Sequence, residues 1–195
     1  MRKSKAETAR TRERIVKAAG AEFAANGISE AALARVMAAA GLTHGGFYRH
    51  FASKDQLVVE ACSKTVLSLL VGLGLLTNGK PHKQALALLV DRYVSRTHRD
   101  QPSTGCPLAA LGSELARRDK RTRQAAIEGF LQLSRLIASH LETAPSRKRA
   151  EVSMAIVSAM VGAIILARIA PDSRTSDSVL VATRDFIVQS VRRLR

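Results

Sequence analysis

Apolar residues recur at spacings of three and four along almost the whole of this 195-residue chain, and no stretch alternates with period two for long. That spacing lines one face of a helix, whereas a half-buried strand requires strict alternation. Alanine and leucine, both strong helix formers, are abundant. The expectation is an all-α protein of about nine helices.

Short breaks punctuate the pattern: "ANGIS" at 25–29, "AGLTHGG" at 40–46, "ASK" at 52–54, "TNGKPH" at 77–82, "RDQPSTGCP" at 99–107, "TAPS" at 143–146 and "APDSRTSDS" at 170–178. A first helix then runs from about Glu7 to Ala25, burying Ile15, Ala19 and Phe23, and stops at Asn26-Gly27. Ser29 is a candidate cap for a second helix that turns Leu33, Val36, Met37 and Ala40 inward. Thr43 caps a short third helix from His44 to about His50. Ser53 and Gln56 have capping-box spacing for a fourth that reaches about Leu76. Five more span roughly 81–99, 107–117, 120–142, 147–170 and 177–193. The organisation expected is a three-helix unit, residues 1–52, joined to a larger helical bundle, residues 53–195.

Charge narrows the partners. Lys and Arg number 31 against 16 Asp and Glu, a formal charge of +15. That favours polyanions, nucleic acid or an anionic membrane surface. A basic arm, with Arg2, Lys3, Lys5, Arg10, Arg12, Arg14 and Lys17, leads the chain. Its first twenty residues lack the apolar run of a secretory signal, so the expected location is cytoplasmic. Met154–Ala170 is apolar but holds Ser158 and Arg168, and reads as a buried helix rather than a membrane span. The two cysteines, Cys62 and Cys106, have neither metal nor redox spacing. No Glu-x-x-His, His-Glu-x-x-His or glycine-rich nucleotide motif occurs, and no Ser or Cys has an evident base partner. No catalytic residue, metal or cofactor is therefore named.

The stretch "GLTHGGFYRHFASKDQL", 41–57, joins a glycine turn to a helix of unusual make-up. Two helices linked by a short glycine-containing turn are the helix-turn-helix signature, whose second helix enters the DNA major groove. At 100° per residue, Phe47 and Phe51 share one face. Gly45, Gly46 and Arg49 lie opposite, with His44 and Tyr48 on one flank and His50 on the other. Glycine in a helix interior costs about 1 kcal/mol relative to alanine. The compensating gain is that backbone comes close to a large partner, and the N-terminus of this helix offers partial positive charge to a phosphate.

This stretch resembles the recognition helix and following segment of TetR-type transcriptional regulators, whose pattern is approximately Ala-Gly-Val-Ser-x-Gly-x-Leu-Tyr-x-His-Phe-x-Ser-Lys-Glu-x-Leu. Ala40, Gly41, Leu42, Thr43, Gly45, Phe47, Tyr48, His50, Phe51, Ser53, Lys54, Asp55 and Leu57 match, several by conservative exchange. The resemblance is strong over about residues 10–60 and general over the whole chain. It implies a homodimer that reads a roughly palindromic operator on double-stranded DNA, most often as a repressor. It makes residues 1–52 the DNA-binding domain and 53–195 the ligand-binding and dimerisation domain. Carried over by position, Thr43, Tyr48, His50 and Lys54 contact phosphates; His44, Gly45 and Gly46 lie where bases are read; Arg49 serves either role. One departure stands out: Ala31 and Ala32 occupy places that commonly carry Thr or Ser for a phosphate contact, leaving Ser29, Arg35 or the basic arm to replace it.

The resemblance also implies an effector pocket. "STGCPLAALGSELARRD", 103–119, corresponds to segments that border it, which singles out Cys106 and Leu111; the few aromatics beyond the first domain add Tyr93 and Phe130. An aliphatic lining suits a lipophilic small molecule. Cys106 has two readings: a small buried residue at a helix start, or a thiol activated by the helix dipole. Ala155, Ala159, Gly162, Ala163 and Ala167 put small residues at helical spacing, and residues of about 147–193 are the implied dimer surface. The competing reading is a nucleic-acid-binding protein without sequence preference or effector site.

Overall fold

The computed structural model describes residues 4–141 and 145–193, and among them every regular element is helical. Arg2 and Lys3 of the basic arm, and the expected helix end at Glu142, lie outside the described residues. The described residues form nine α-helices: α1 (Lys5–Asn26), α2 (Leu33–Ala39), α3 (Lys54–Thr77), α4 (His82–Tyr93), α5 (Arg96–Asp100), α6 (Pro107–Leu115), α7 (Lys120–Ala138), α8 (Ser146–Ile169) and α9 (Ser173–Arg192). Two 3-10 helices, His44–Arg49 and Pro102–Thr104, complete them. The chain forms two compact units, one of Met1–Val66 with Pro102–Ala126, the other of Leu67–Gln101 with Ile127–Arg195.

In the first unit α1 opens with a full capping box. Ser4 Oγ accepts the Glu7 N–H at 3.1 Å, and Glu7 returns the bond to the Ser4 N–H at 2.8 Å. The helix buries Thr11, Ile15, Val16, Ala19 and Phe23, and Gly27 ends it at φ 79°, where a side chain is strained. Around this face gather Ile28, Val36, Met37, Phe47, Phe51, Leu57 and Val58, joined from far along the sequence by Leu111 and Leu115 of α6. Each large side chain taken fully from water contributes roughly 1.5–3 kcal/mol, so the aromatic and aliphatic centre holds the small helices in place.

Local starts and stops depart from expectation where a side chain from elsewhere intervenes. Ser29 does not cap the second helix. Its N–H and that of Ile28 both donate to Glu114 of α6 at 3.0 Å, and α2 begins later, at Leu33, behind the uncapped Ala32. At the start of α3, Ser53 Oγ accepts from the Gln56 N–H at 3.1 Å as expected, but Gln56 reaches back to the N–H of Ala52 at 2.8 Å.

The second unit contains the break that the spacing concealed. The single helix expected over 81–99 divides at Val94-Ser95, because Ser95 Oγ accepts the His98 N–H at 3.1 Å and starts α5 afresh. Asp172 likewise starts α9 ahead of the expected 177, accepting the Thr175 N–H at 2.8 Å. Arg96 and Arg99 pair with Asp177 of α9, while Arg168 of α8 donates to the carbonyls of His98 and Arg99 at 2.8 and 3.0 Å. By length and composition α3 and α8 are apolar enough to cross a membrane. The Met154–Ala170 segment turns Ile156, Val157, Met160, Ala163, Ile164 and Ala167 inward, as expected of a core helix, yet leaves Met154, Leu166 and Ile169 exposed on its other face.

Candidate nucleic-acid interface

The turn between α2 and the 3-10 helix His44–Arg49 is a glycine-terminated helix end. Gly41 sits at φ 69°, its N–H bonds the Ala38 carbonyl at 2.8 Å, and the next N–H, of Leu42, bonds the Met37 carbonyl at 2.9 Å. Arg14 of α1 donates to the carbonyl of Ala40 just before the turn. An added Cβ at Gly41 would stand 3.0 Å from the end of that exposed, flexible side chain, so the positive φ is what calls for glycine there.

Beyond the turn the chain winds with i to i+3 bonds, Gly46 N–H to the Thr43 carbonyl at 3.1 Å and His50 N–H to the Phe47 carbonyl at 2.9 Å. The winding is tighter than the α-helix assumed from spacing, which suits a six-residue segment weakened by two glycines. Thr43 has extended backbone at the cap position, but its hydroxyl makes no capping bond, and the side chain is exposed. The expected hydroxyl cap is therefore absent.

Phe47 and Phe51 stack with ring centroids 5.6 Å apart and are 0% and 1% exposed. Arg12 of α1 closes this pair. Its guanidinium lies 4.1 Å from the Phe51 ring centroid, donates to the carbonyl of His50 and pairs with Glu60 of α3. One charged side chain thus ties α1, the end of the 3-10 helix and α3 together. In the sequence it shows only as one member of a basic arm.

Opposite the aromatic pair the surface is bare. His44, Gly45, Tyr48 and Arg49 are exposed, and Gly46 and His50 are half-buried. Tyr48 rests edge-on against Phe47 at 5.1 Å, yet keeps 71% of its surface in solvent, so its hydroxyl is presented outward. A Cβ at Gly45 would meet nothing within 4 Å, and one at Gly46 only the Met37 methyl at 3.6 Å, an ordinary contact. Neither glycine is needed by the fold around it.

Lys54 is differently placed from the other candidate residues. Its ammonium donates to the carbonyls of Ala31 at 2.8 Å and Ser29 at 3.3 Å, closing the segment ahead of α2 and leaving the third N–H for another acceptor. Burial first, then the neighbouring Arg118, hold its pKa below the ordinary lysine value. Ala31 and Ala32 have no hydroxyl to offer a phosphate, and of the residues expected to substitute for them, Arg35 is already engaged with Glu22 at 2.6 Å and with the Glu30 carbonyl. Glu114 and Arg118 carry no local signal in the sequence, because each acts on residues more than sixty positions away.

The residues singled out for an effector site fall in different units. Cys106 and Leu111 are buried in the first, at 1% and 3% exposure, and Tyr93 and Phe130 belong to the second, Tyr93 buried and Phe130 half-buried. The ring of Tyr93 stands edge-on to His98 at 4.6 Å, and the His98 Nδ1–H donates to the Tyr93 carbonyl at 2.7 Å. Burial of Cys106 fits the reading of a small residue packed at a helix start.

Residues 15–61 match the family model of bacterial regulatory proteins, tetR family, and residues 83–179 match that of the C-terminal domain of LmrA/YxaF-like transcriptional regulators. The "Probable acrEF/envCD operon repressor" of Escherichia coli K12 is 39% identical over 59 residues, covering 30% of this chain and 27% of that protein. The HTH-type transcriptional regulator SrpR of Pseudomonas putida is 45% identical over 57 residues, covering 29% and 27%. The matched stretch thus spans about a quarter of these curated relatives. A TetR transcriptional regulator from Chloroflexus aurantiacus superposes with a TM-score of 0.77 at 25% identity, over 94% of this chain and 96% of that one. In fold alone, a TetR regulator from Legionella pneumophila (TM-score 0.78, 20% identity, 97% and 99% covered) and reduced NemR from E. coli (0.74, 17%, 90% and 95%) are also similar.

Proposed function

This chain belongs to the tetR family of bacterial regulatory proteins, and from that premise we propose that it is a ligand-responsive repressor acting in the cytoplasm. Its homodimer binds a palindromic operator and is released by a lipophilic small molecule. Residues 1–52 serve as the DNA-binding domain and 53–195 as the regulatory and dimerisation domain.

The observation that carries the proposal is the glycine pair, Gly45 exposed and Gly46 half-buried. Gly45 and Gly46 have no steric need to be glycine, yet they interrupt a two-turn helix whose other face is clamped by Phe47 and Phe51. A helix bared in this way admits close approach of a smooth polyanion. Thr43, Tyr48, His50 and the remaining ammonium donor of Lys54 take phosphates, and His44 and Arg49 supply the base contacts that the glycines lack. Sparse direct contacts leave part of the specificity to DNA shape.

The dimer reading draws on α8 and α9. Met154, Leu166 and Ile169 on the first, Val181 and Phe186 on the second, are large apolar side chains left 36% to 69% exposed, while Ala155, Ala159 and Gly162 keep the α8 side low. Two such helices from each protomer make a four-helix bundle with an apolar centre. The effector reading rests on Cys106, Leu111, Tyr93 and Phe130 only as regions of the fold that border such pockets. Genome-wide selection of bound DNA fragments, followed by a screen for compounds that release them, tests the whole. Recovery of no shared inverted repeat would sink the operator, and release by no compound would sink the effector.

A further inference from the structure

Beside the start of the helix-turn-helix, the first unit gathers cations of which only Lys54 belongs to the DNA contacts proposed above. Arg118, in the α6–α7 connection, brings its guanidinium within 3.4 Å of Asp55 and 3.5 Å of the Ser29 hydroxyl. The Lys54 ammonium bonds the Ser29 carbonyl from its own side. Two cations are thereby held around one serine, near enough for Arg118 to disfavour the charge on Lys54. On either side of Arg118 lie Arg117 of the connection and Lys120 and Arg121 of the first turn of α7, all exposed, with Asp119 as the only acid from Arg117 to Arg121. Asp119 is itself turned to the start of α7, accepting from Thr122 and Arg121.

We infer that the α6–α7 connection and the first turn of α7 form a second DNA-binding element: Arg118 with Lys54 and Ser29, flanked by Arg117, Lys120 and Arg121, grips the phosphate backbone of the duplex read by His44–Arg49. The inference rests on the DNA-binding reading above and extends it to residues of the regulatory segment. It supplies the phosphate contact that Ala31 and Ala32 cannot make, from a different part of the chain. It also gives the end of α6 and the connection after it, through Glu114 and Arg118, a grip on both the protein turn and the DNA. Phosphate contacts of this kind position the protein without reading sequence.

The test compares full-length protein with Arg117→Ala/Lys120→Ala/Arg121→Ala, with Arg118→Gln, and with a control, Lys80→Ala/Lys83→Ala, on exposed residues about the start of α4, outside the proposed dimer helices. Affinity is measured against salt for a random-sequence duplex and for a genomic fragment recovered by selection. Each phosphate contact removed should lower the log–log salt slope by about 0.9, or about 3.5-fold in affinity across a change from about 50 to 200 mM salt. The triple variant and Arg118→Gln should lose affinity by the same factor on both duplexes, while the control keeps the parental slope. Parental slopes in both test variants would overturn the inference, as would an equal drop in the control. Intact DNA binding with diminished thermal stabilisation by inorganic phosphate would assign the cluster to a free anion and also overturn it. Because the slope is read on random duplex too, a parent protein without sequence preference contradicts the operator reading and leaves this comparison decisive.

Discussion

Glu114 accepts the backbone N–H of Ile28 at 3.0 Å, although the two residues are 86 positions apart. The same carboxylate oxygen takes the Ser29 N–H at 3.0 Å, so a helix from late in the chain closes the turn between α1 and α2. Glu114→Ala leaves both donors without their acceptor and should cost about 1–3 kcal/mol, read as a lower urea midpoint. Glu114→Gln keeps an acceptor and should lose less. An unchanged midpoint in the alanine variant would show that Glu114 holds nothing.

Alanine at Gly45 and Gly46 separates folding from binding. Open space at the first position and an ordinary Met37 contact at the second mean that neither methyl clashes within the protein. The double variant should gain up to about 1 kcal/mol per site from helix propensity. It should also bind the selected fragment more weakly, because the methyls stand where DNA backbone or base edges approach. Undiminished binding would refute close approach as the reason for the glycines.

Arg49 lies exposed at the end of the 3-10 helix. Arg49→Ala should reduce affinity for the selected fragment by about 1–3 kcal/mol and relax preference at one position of each half-site. A uniform loss across all sequences would assign the side chain to phosphate instead.

The thiols should be silent in the folded protein. Burial, reinforced by the neighbouring Cys106, pushes the Cys62 thiol up to about 12, and Cys106 is 1% exposed. At pH 8 the ionised fraction of such a Cys62 is about one in ten thousand, against about a quarter for a free cysteine. A thiol-exchange reagent should therefore label neither residue until denaturant is added. Rapid labelling of Cys106 that also releases DNA would favour the reading of a thiol activated by the helix dipole.

His98 makes stability depend on pH. Burial lowers its pKa from 6.5 to about 4, despite the Tyr93 carbonyl that favours the protonated ring. The unfolded chain binds this proton more readily, so the contribution is complete above about pH 6.5 and is lost as pH falls towards 4. At 1.36 kcal/mol per pKa unit the loss is up to about 3 kcal/mol. His98→Gln should flatten the unfolding free energy over that window; an unaltered pH profile would place the titration elsewhere.

Whatever is periodic or local was legible in the sequence. The three- and four-residue spacing disclosed the helices, the inward pair Phe47 and Phe51, and the glycine turn at Gly41. Ser95 hid the break between α4 and α5, because Val90, Tyr93 and Val94 keep apolar spacing right up to it while a hydroxyl caps α5. Ser29 failed as a cap, and Lys54 was drawn towards the Ser29 and Ala31 carbonyls, through partners that no window of sequence contains. Arg12 shows the same limit from the other side: a residue in a charge run became the clamp on Phe51 once α1 folded over it.

The central claim is that the face of His44–Arg49 reads a specific DNA sequence rather than charge alone. Competition between the selected inverted repeat and a scrambled duplex of the same length, at near-physiological salt, tests it most directly. A preference of about a thousandfold or more for the repeat is the expected result. Equal affinities that salt abolishes together would contradict it, leaving only a cationic protein that binds any duplex.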